Sequence, residues 1–190
     1  MGETVAVSEV PHTDIENEKQ FVVSSLPPDI ATQFQKADFI EIRQGYLPDT
    51  PPDPATGKGR VKGARIREET KPDGSVRYVW AEKTGKKGAK QETQRTMEQA
   101  EFEKRWPETE ACRVYKTRHY LPLDKSHTIE LDVFKGGQAD GKMVAEVEFK
   151  DEDDALGFSP PDWFGREITK EFSNRKLAKG DPFPPQELEA

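Results

Sequence analysis

Two short segments alternate strictly between apolar and charged positions. In MVAEVEF (143–149), Met143, Ala145, Val147 and Phe149 share one face, while Val144, Glu146 and Glu148 share the other. In ELDVF (130–134), Glu130 and Asp132 fall on one face and Leu131 and Val133 on the other. A period of two marks a strand with one dry and one wet side. Here the wet side carries paired carboxylates in both. The same device recurs: Glu16 with Glu18, Arg65 with Arg67, and Lys116 and Arg118 with Tyr120, while Lys83 ends a further strand. Like charges set side by side on neighbouring strands are costly in a dry interior unless they pair, bind metal or line a wet cavity.

Turn signals divide the chain into about eight strands: 14–23, 38–47, 61–69, 75–84, 114–123, 127–137 and 143–150, with 91–103 readable as strand or helix. KPDG (71–74) and LDKS (123–126) read as hairpin turns, and GKKGAK (85–90) as a loop. Short helices are expected at 26–37 and in DEDDALGF (151–158), whose acids suit a helix start. Residues 1–13, the Pro-rich stretch 48–60 and the tail 181–190 are expected to be flexible, leaving one domain over 14–180. Eight strands suit a sandwich, with charged faces outside, or a closed barrel, with charged faces inside. From the pattern alone the two stand level.

Composition narrows the function. The 190 residues suit a single domain, and with 33% hydrophobic and 34% charged residues the core is modest. No run of 18 apolar residues offers a membrane span. The N-terminus lacks a basic flank and an apolar stretch, so no secretory signal is read there, and Ala6 breaks a myristoylation motif. The single cysteine, Cys112, excludes an intramolecular disulfide and points to the cytoplasm. His12, His119 and His127 are scattered, without zinc spacing. The net charge of −7 argues against nucleic acid as a partner, yet bases concentrate at 58–90 and acids at 13–18, 98–110, 130–132 and 146–154.

The motifs ENEKQFVVSSLP, RQGYL, ARIR, YKTRHYLPL, ELDVF, VAEVEF, PPDWFGREIT and SN..LA occur in this order from Ile15 to Leu177. Together they resemble the CYTH family, or triphosphate tunnel metalloenzymes. The resemblance implies a mainly β fold: an eight-stranded antiparallel β-barrel tunnel with a few short helices packed outside. It implies hydrolysis of a triphosphate substrate, inorganic tripolyphosphate first, with Mg²⁺ or Mn²⁺. Class IV adenylate cyclase, thiamine triphosphatase and a non-catalytic polyphosphate or nucleotide binder are the alternatives, and a homodimer is allowed. Hard cations want carboxylate oxygens, which Glu16, Glu18, Glu130, Asp132, Glu146 and Glu148 offer. Arg65, Arg67, Lys83, Lys116 and Arg118 would hold phosphate oxygens. Glu16, Glu18, Lys83 and Arg118 would act in catalysis. Glu101 and Glu103 resemble an acidic pair of some relatives.

One position departs from the motif. The family's ExExK ends on a lysine, where this chain has Gln20, and Lys19 falls on the opposite face. Gln20 is expected to point at the substrate.

Overall fold

The computed structural model describes residues 12–15, 17–49, 63–86 and 89–185, and of 12–15, 83–86 and 89–91 the backbone only. Nine antiparallel strands form one sheet: β1 (His12–Ile15), β2 (Glu18–Val23), β3 (Phe39–Tyr46), β4 (Arg65–Thr70), β5 (Val76–Lys86), β6 (Ala89–Met97), β7 (Arg113–Pro122), β8 (Thr128–Lys135) and β9 (Met143–Glu148). Their order is β1-β6-β5-β4-β3-β7-β8-β9-β2. Among the described residues four short α-helices accompany them: α1 (Pro28–Phe34), α2 (Gln99–Arg105), α3 (Glu152–Gly157) and α4 (Asn174–Ala178). The mainly β class is as expected; the closed eight-stranded ladder is not.

The difference lies in the first strand. The segment expected as one strand, 14–23, is split: β1 pairs with β6, β2 pairs with β9, and two residues separate them. The two ends of the sheet are therefore consecutive pieces of chain, but no described ladder joins them. The outer edge of β2 is taken instead by the segment after α3. Val22 N donates to Arg166 O (3.0 Å), Gly165 N to Val22 O (2.8 Å) and Ile168 N to Gln20 O (2.8 Å). This covers an edge whose bare N–H and C=O groups would otherwise invite another strand.

Two other segments differ in detail. The ambiguous 91–103 is both things in turn, strand to Met97 and helix from Gln99, because Phe102 and Trp106 take over at helical spacing and stack at 5.2 Å. The expected loop 85–90 is mostly strand, since β5 runs on to Lys86 and β6 begins at Ala89.

The outer face of the sheet is apolar and roofed at two places. Over β2, β9, β8 and β7, buried Phe21, Leu131, Val147 and Phe149 meet Phe34 of α1 and Phe158, Trp163 and Phe164 beyond α3. Over β4 and β6, Ile66 and Met97 meet Phe102 of α2 and Trp106. Gly45 on β3 permits the second roof: a Cβ there would stand 2.3 Å from Thr109 Oγ1 in the turn after α2. His119 packs between Phe34 (4.0 Å) and Phe39 (5.4 Å), consistent with a packing role. Glu101 lies on α2, on the outer side, in a double hydrogen bond with Arg95.

The concave face is different. At one end it is apolar, where Val22, Val114, Phe134 and Val144 are closed over by Ile168 and Phe172. Phe183, in the stretch expected as tail, lies against Phe134 and Phe172 at 5.9 and 5.8 Å. The rest of the concave face, polar apart from Ile40 and Ile42 of β3, walls a cavity of about 870 Å³.

Candidate metal and polyanion site

Strand register sets the site. Across β8, β9 and β2, Glu130 lies opposite Glu146, and Glu146 opposite Gln20; one step along, Glu18 lies opposite Glu148. On the β7 side, Arg118 lies opposite Asp132. Beyond β3, β4 carries Arg65 and Arg67 on the same face. Moving along the sheet, the cavity wall thus passes from cations on β4 and β7 to carboxylates on β8, β9 and β2.

Glu130, Glu146 and Glu148 each bring a carboxylate oxygen within 4.8 Å of the others. Burial pushes the Glu130 carboxyl up; Arg118 opposes this, and Glu146 and Asp132 add to the rise. A cation among these oxygens would offset both the burial and the mutual repulsion. Three carboxylates with no sulfur or imidazole among them form the donor set of a hard divalent ion. The residues present therefore fit Mg²⁺ or Mn²⁺.

Asp132 belongs to a second cluster. It is 1% exposed and absent from the cavity wall. Arg118 Nε donates to its Oδ1 (2.7 Å), while Arg118 Nη2 (2.9 Å) and Lys116 Nζ (2.5 Å) donate to its Oδ2. Burial raises its carboxyl, but Arg118 and Lys116 outweigh that and hold it down to about 2. Burial and the nearby Arg118 bring the Lys116 ammonium down to about 8, against the pull of Asp132. Arg118 also bonds Glu130 and stands 3.9 Å from Glu146. It joins the two clusters.

Arg67 is also drawn down, by burial against the pull of Glu69, with Arg65 and Arg118 adding to the fall. The Arg67 guanidinium, paired with Glu69 at 2.7 Å and pressed by Arg65 and Arg118, would be relieved by a polyanion in the cavity. Arg65 is held by Glu92 at 2.5 Å, and Gln94 also donates to Glu92 at 2.7 Å.

Of the residues named from the sequence, Glu18, Gln20, Arg65, Arg67, Lys116, Arg118, Glu130, Glu146 and Glu148 all line this cavity. Glu16 lies outside the described residues. Lys83 is opposite Glu92 in the β5–β6 register, but its side chain lies outside the described residues. Sequence reasoning overlooked Glu92, although its alternation with Gln94 and Thr96 was there to be read. It also overlooked Arg175 on α4, which lines the cavity and bonds Asp49 at 2.9 Å. It falls within the SN..LA motif at 173–178, but the motif does not specify a base there, and the residue is brought in from the far end of the chain.

A strand-walled cavity with gathered guanidiniums and gathered carboxylates is the architecture of a protein that can hold a polyanion together with hard cations. Over 169 residues, 88% of this chain and 99% of the relative, the sequence is 34% identical to an inorganic triphosphatase of Nitrosomonas europaea. A crystal structure of an inorganic triphosphatase superposes with a TM-score of 0.57 at 33% identity, over 87% of this chain and 99% of that one. A protein of Pyrococcus horikoshii, 19% identical, shares the fold with a TM-score of 0.50 over 74% of this chain and 82% of the other. No family model matches the chain. The chain belongs to the CYTH, or triphosphate tunnel metalloenzyme, family, in its inorganic-triphosphatase-like branch. No helix among the described residues is long and apolar enough to cross a membrane.

Proposed function

We propose that this chain hydrolyses inorganic tripolyphosphate to phosphate and pyrophosphate, using Mg²⁺ or Mn²⁺ held by Glu130, Glu146 and Glu148, with Glu18 and Glu16 as further carboxylate ligands. The observation that carries this is the meeting of three carboxylates with Arg65, Arg67 and Arg118 along one cavity wall. The sheet would enclose the substrate as a tunnel, because its two ends are joined by a two-residue link.

In this reading Arg65 and Arg67 grip phosphate oxygens through paired N–H donors. Arg118 and Lys83 stabilise charge as it builds on the bridging oxygen. Asp132 has a different task from the ligand role suggested by the sequence: it keeps Lys116 and Arg118 extended beneath the substrate. A carboxylate of the Glu130 cluster orients the attacking water and takes its proton as the P–O bond to the leaving pyrophosphate breaks. A cation held by Glu130, Glu146 and Glu148 would lower the pKa of that water and offset phosphate charge. With one cysteine and no disulfide available within the chain, the cytoplasm suits the protein.

Incubation of pure protein with tripolyphosphate, ATP and thiamine triphosphate, each with Mg²⁺ or Mn²⁺, tests the reading. Phosphate release should be fastest from tripolyphosphate. Cyclic AMP with pyrophosphate from ATP, or binding of all three without turnover, would overturn it.

A further inference from the structure

Gln20 stands where the family motif carries lysine, and the structure engages its side chain. Nε2 donates to Glu146 Oε2 at 2.8 Å within a buried contact, and only 5% of the residue is exposed. Its backbone is held on both sides: N donates to Thr169 Oγ1 at 3.0 Å, and O accepts from Ile168 N at 2.8 Å. The strand is held in place while the side-chain amide bonds Glu146. One oxygen of that carboxylate is thus fixed, while Oε1 lies 3.9 Å from the Arg118 guanidinium.

The chemistry of the donor matters. An amide orients a carboxylate without cancelling its charge, whereas an ammonium at the same point would form an ion pair and compete with an incoming cation. Lys19 does not replace the missing charge in the cavity, because it lies over the outer Phe158 ring at 5.8 Å. We infer that Gln20 is a positioning residue for the cation site, setting the orientation of Glu146 through a neutral hydrogen bond and not gripping a phosphate. This rests on reading Glu130, Glu146 and Glu148 as cation ligands. Partners that orient metal ligands contribute on the order of 10–100-fold in affinity.

The test is Mn²⁺ binding to substrate-free protein, followed by electron paramagnetic resonance, beside calorimetry of tripolyphosphate binding without metal. Gln20→Met keeps length and removes the donor. It should weaken Mn²⁺ binding by about 10–100-fold and leave metal-free tripolyphosphate binding unchanged. Gln20→Lys should weaken Mn²⁺ binding at least as much. Unchanged Mn²⁺ affinity in Gln20→Met, with weaker tripolyphosphate binding, would make Gln20 a phosphate ligand and overturn the inference. Glu148→Gln separates the two levels. If it weakens Mn²⁺ binding while Gln20→Met does not, the inference alone fails; if wild type binds no Mn²⁺, or Glu148→Gln changes nothing, the cation site fails and the inference with it. Should Gln20→Met not fold by thermal melting, Gln20→Lys decides, and unchanged or tighter Mn²⁺ binding counts against the proposal.

Discussion

Glu130 and Asp132 are two residues apart on one strand, share a face and look interchangeable in the sequence, yet they stand in opposite environments. Asp132 is sealed beneath two cations that saturate its oxygens and hold it ionised. Glu130 faces the cavity beside two more carboxylates, with its carboxyl pushed up. Register makes the difference. Asp132 lies opposite Arg118, whereas Glu130 lies opposite Tyr120 on one side and Glu146 on the other. Along one face, a shift of two residues moves a carboxylate from a structural ion cluster to the candidate cation site.

The largest expected effect comes from breaking the sealed side. Asp132→Ala leaves the buried Lys116 ammonium without its carboxylate, removes two hydrogen bonds from Arg118, and should cost about 3–5 kcal/mol in urea unfolding. Asp132 has a depressed folded pKa, so its contribution is complete above the ordinary carboxylate pKa and is lost as pH falls through about 2. The acid-unfolding curve of the variant should therefore be flatter there than that of wild type. A loss below about 1 kcal/mol would show that the cluster is not structural.

The open side should respond in the other sense. Glu148→Gln, at an exposed position, should lower activity at limiting Mg²⁺ by at least about tenfold while moving the melting temperature little. Activity restored by excess Mg²⁺ would place the loss in cation binding. Equal loss at all Mg²⁺ concentrations would contradict the contrast drawn between the two clusters.

A surface cluster extends the comparison to a group that titrates near neutrality. His127 Nδ1 lies 2.9 Å from Asp124 and Nε2 3.1 Å from Asp154, fastening the β7–β8 turn to α3. Asp124 and then Asp154 raise its pKa above the usual histidine value. The sign follows: the stabilisation is complete below the unfolded pKa and disappears as pH rises through the raised folded one. His127→Asn should depress the melting temperature more at pH 6 than at pH 8.5. An equal shift at both would mean the ring acts by packing on Phe149, 5.3 Å away.

The smallest effect is expected outside the cavity. Arg95 and Glu101 form a bidentate pair on the outer face, about one third exposed on each side. A double-mutant cycle on them should give about 0.2–1 kcal/mol. A coupling as large as that of the Asp132 cluster would mean that burial is not what separates inner from outer pairs.

By itself the sequence determined the strands and their faces. Side chains alternate with a fixed period of two, so Glu146 with Glu148 and Lys116 with Arg118 had to share faces wherever their strands went. It also supplied the family motifs and nine of the charged and polar residues on the cavity wall. Tertiary structure alone decided which face met which. That the first strand divides between the two ends of the sheet, that residues 165–168 cover the edge of β2, and that Arg175 reaches the cavity all depend on contacts between distant parts of the chain. The roles within the site were decided in the same way. Whether a carboxylate is neutralised by Arg118 and Lys116, held by the amide of Gln20 or gathered with other carboxylates depends on register across strands, and the periodicity of a single strand does not encode its partners.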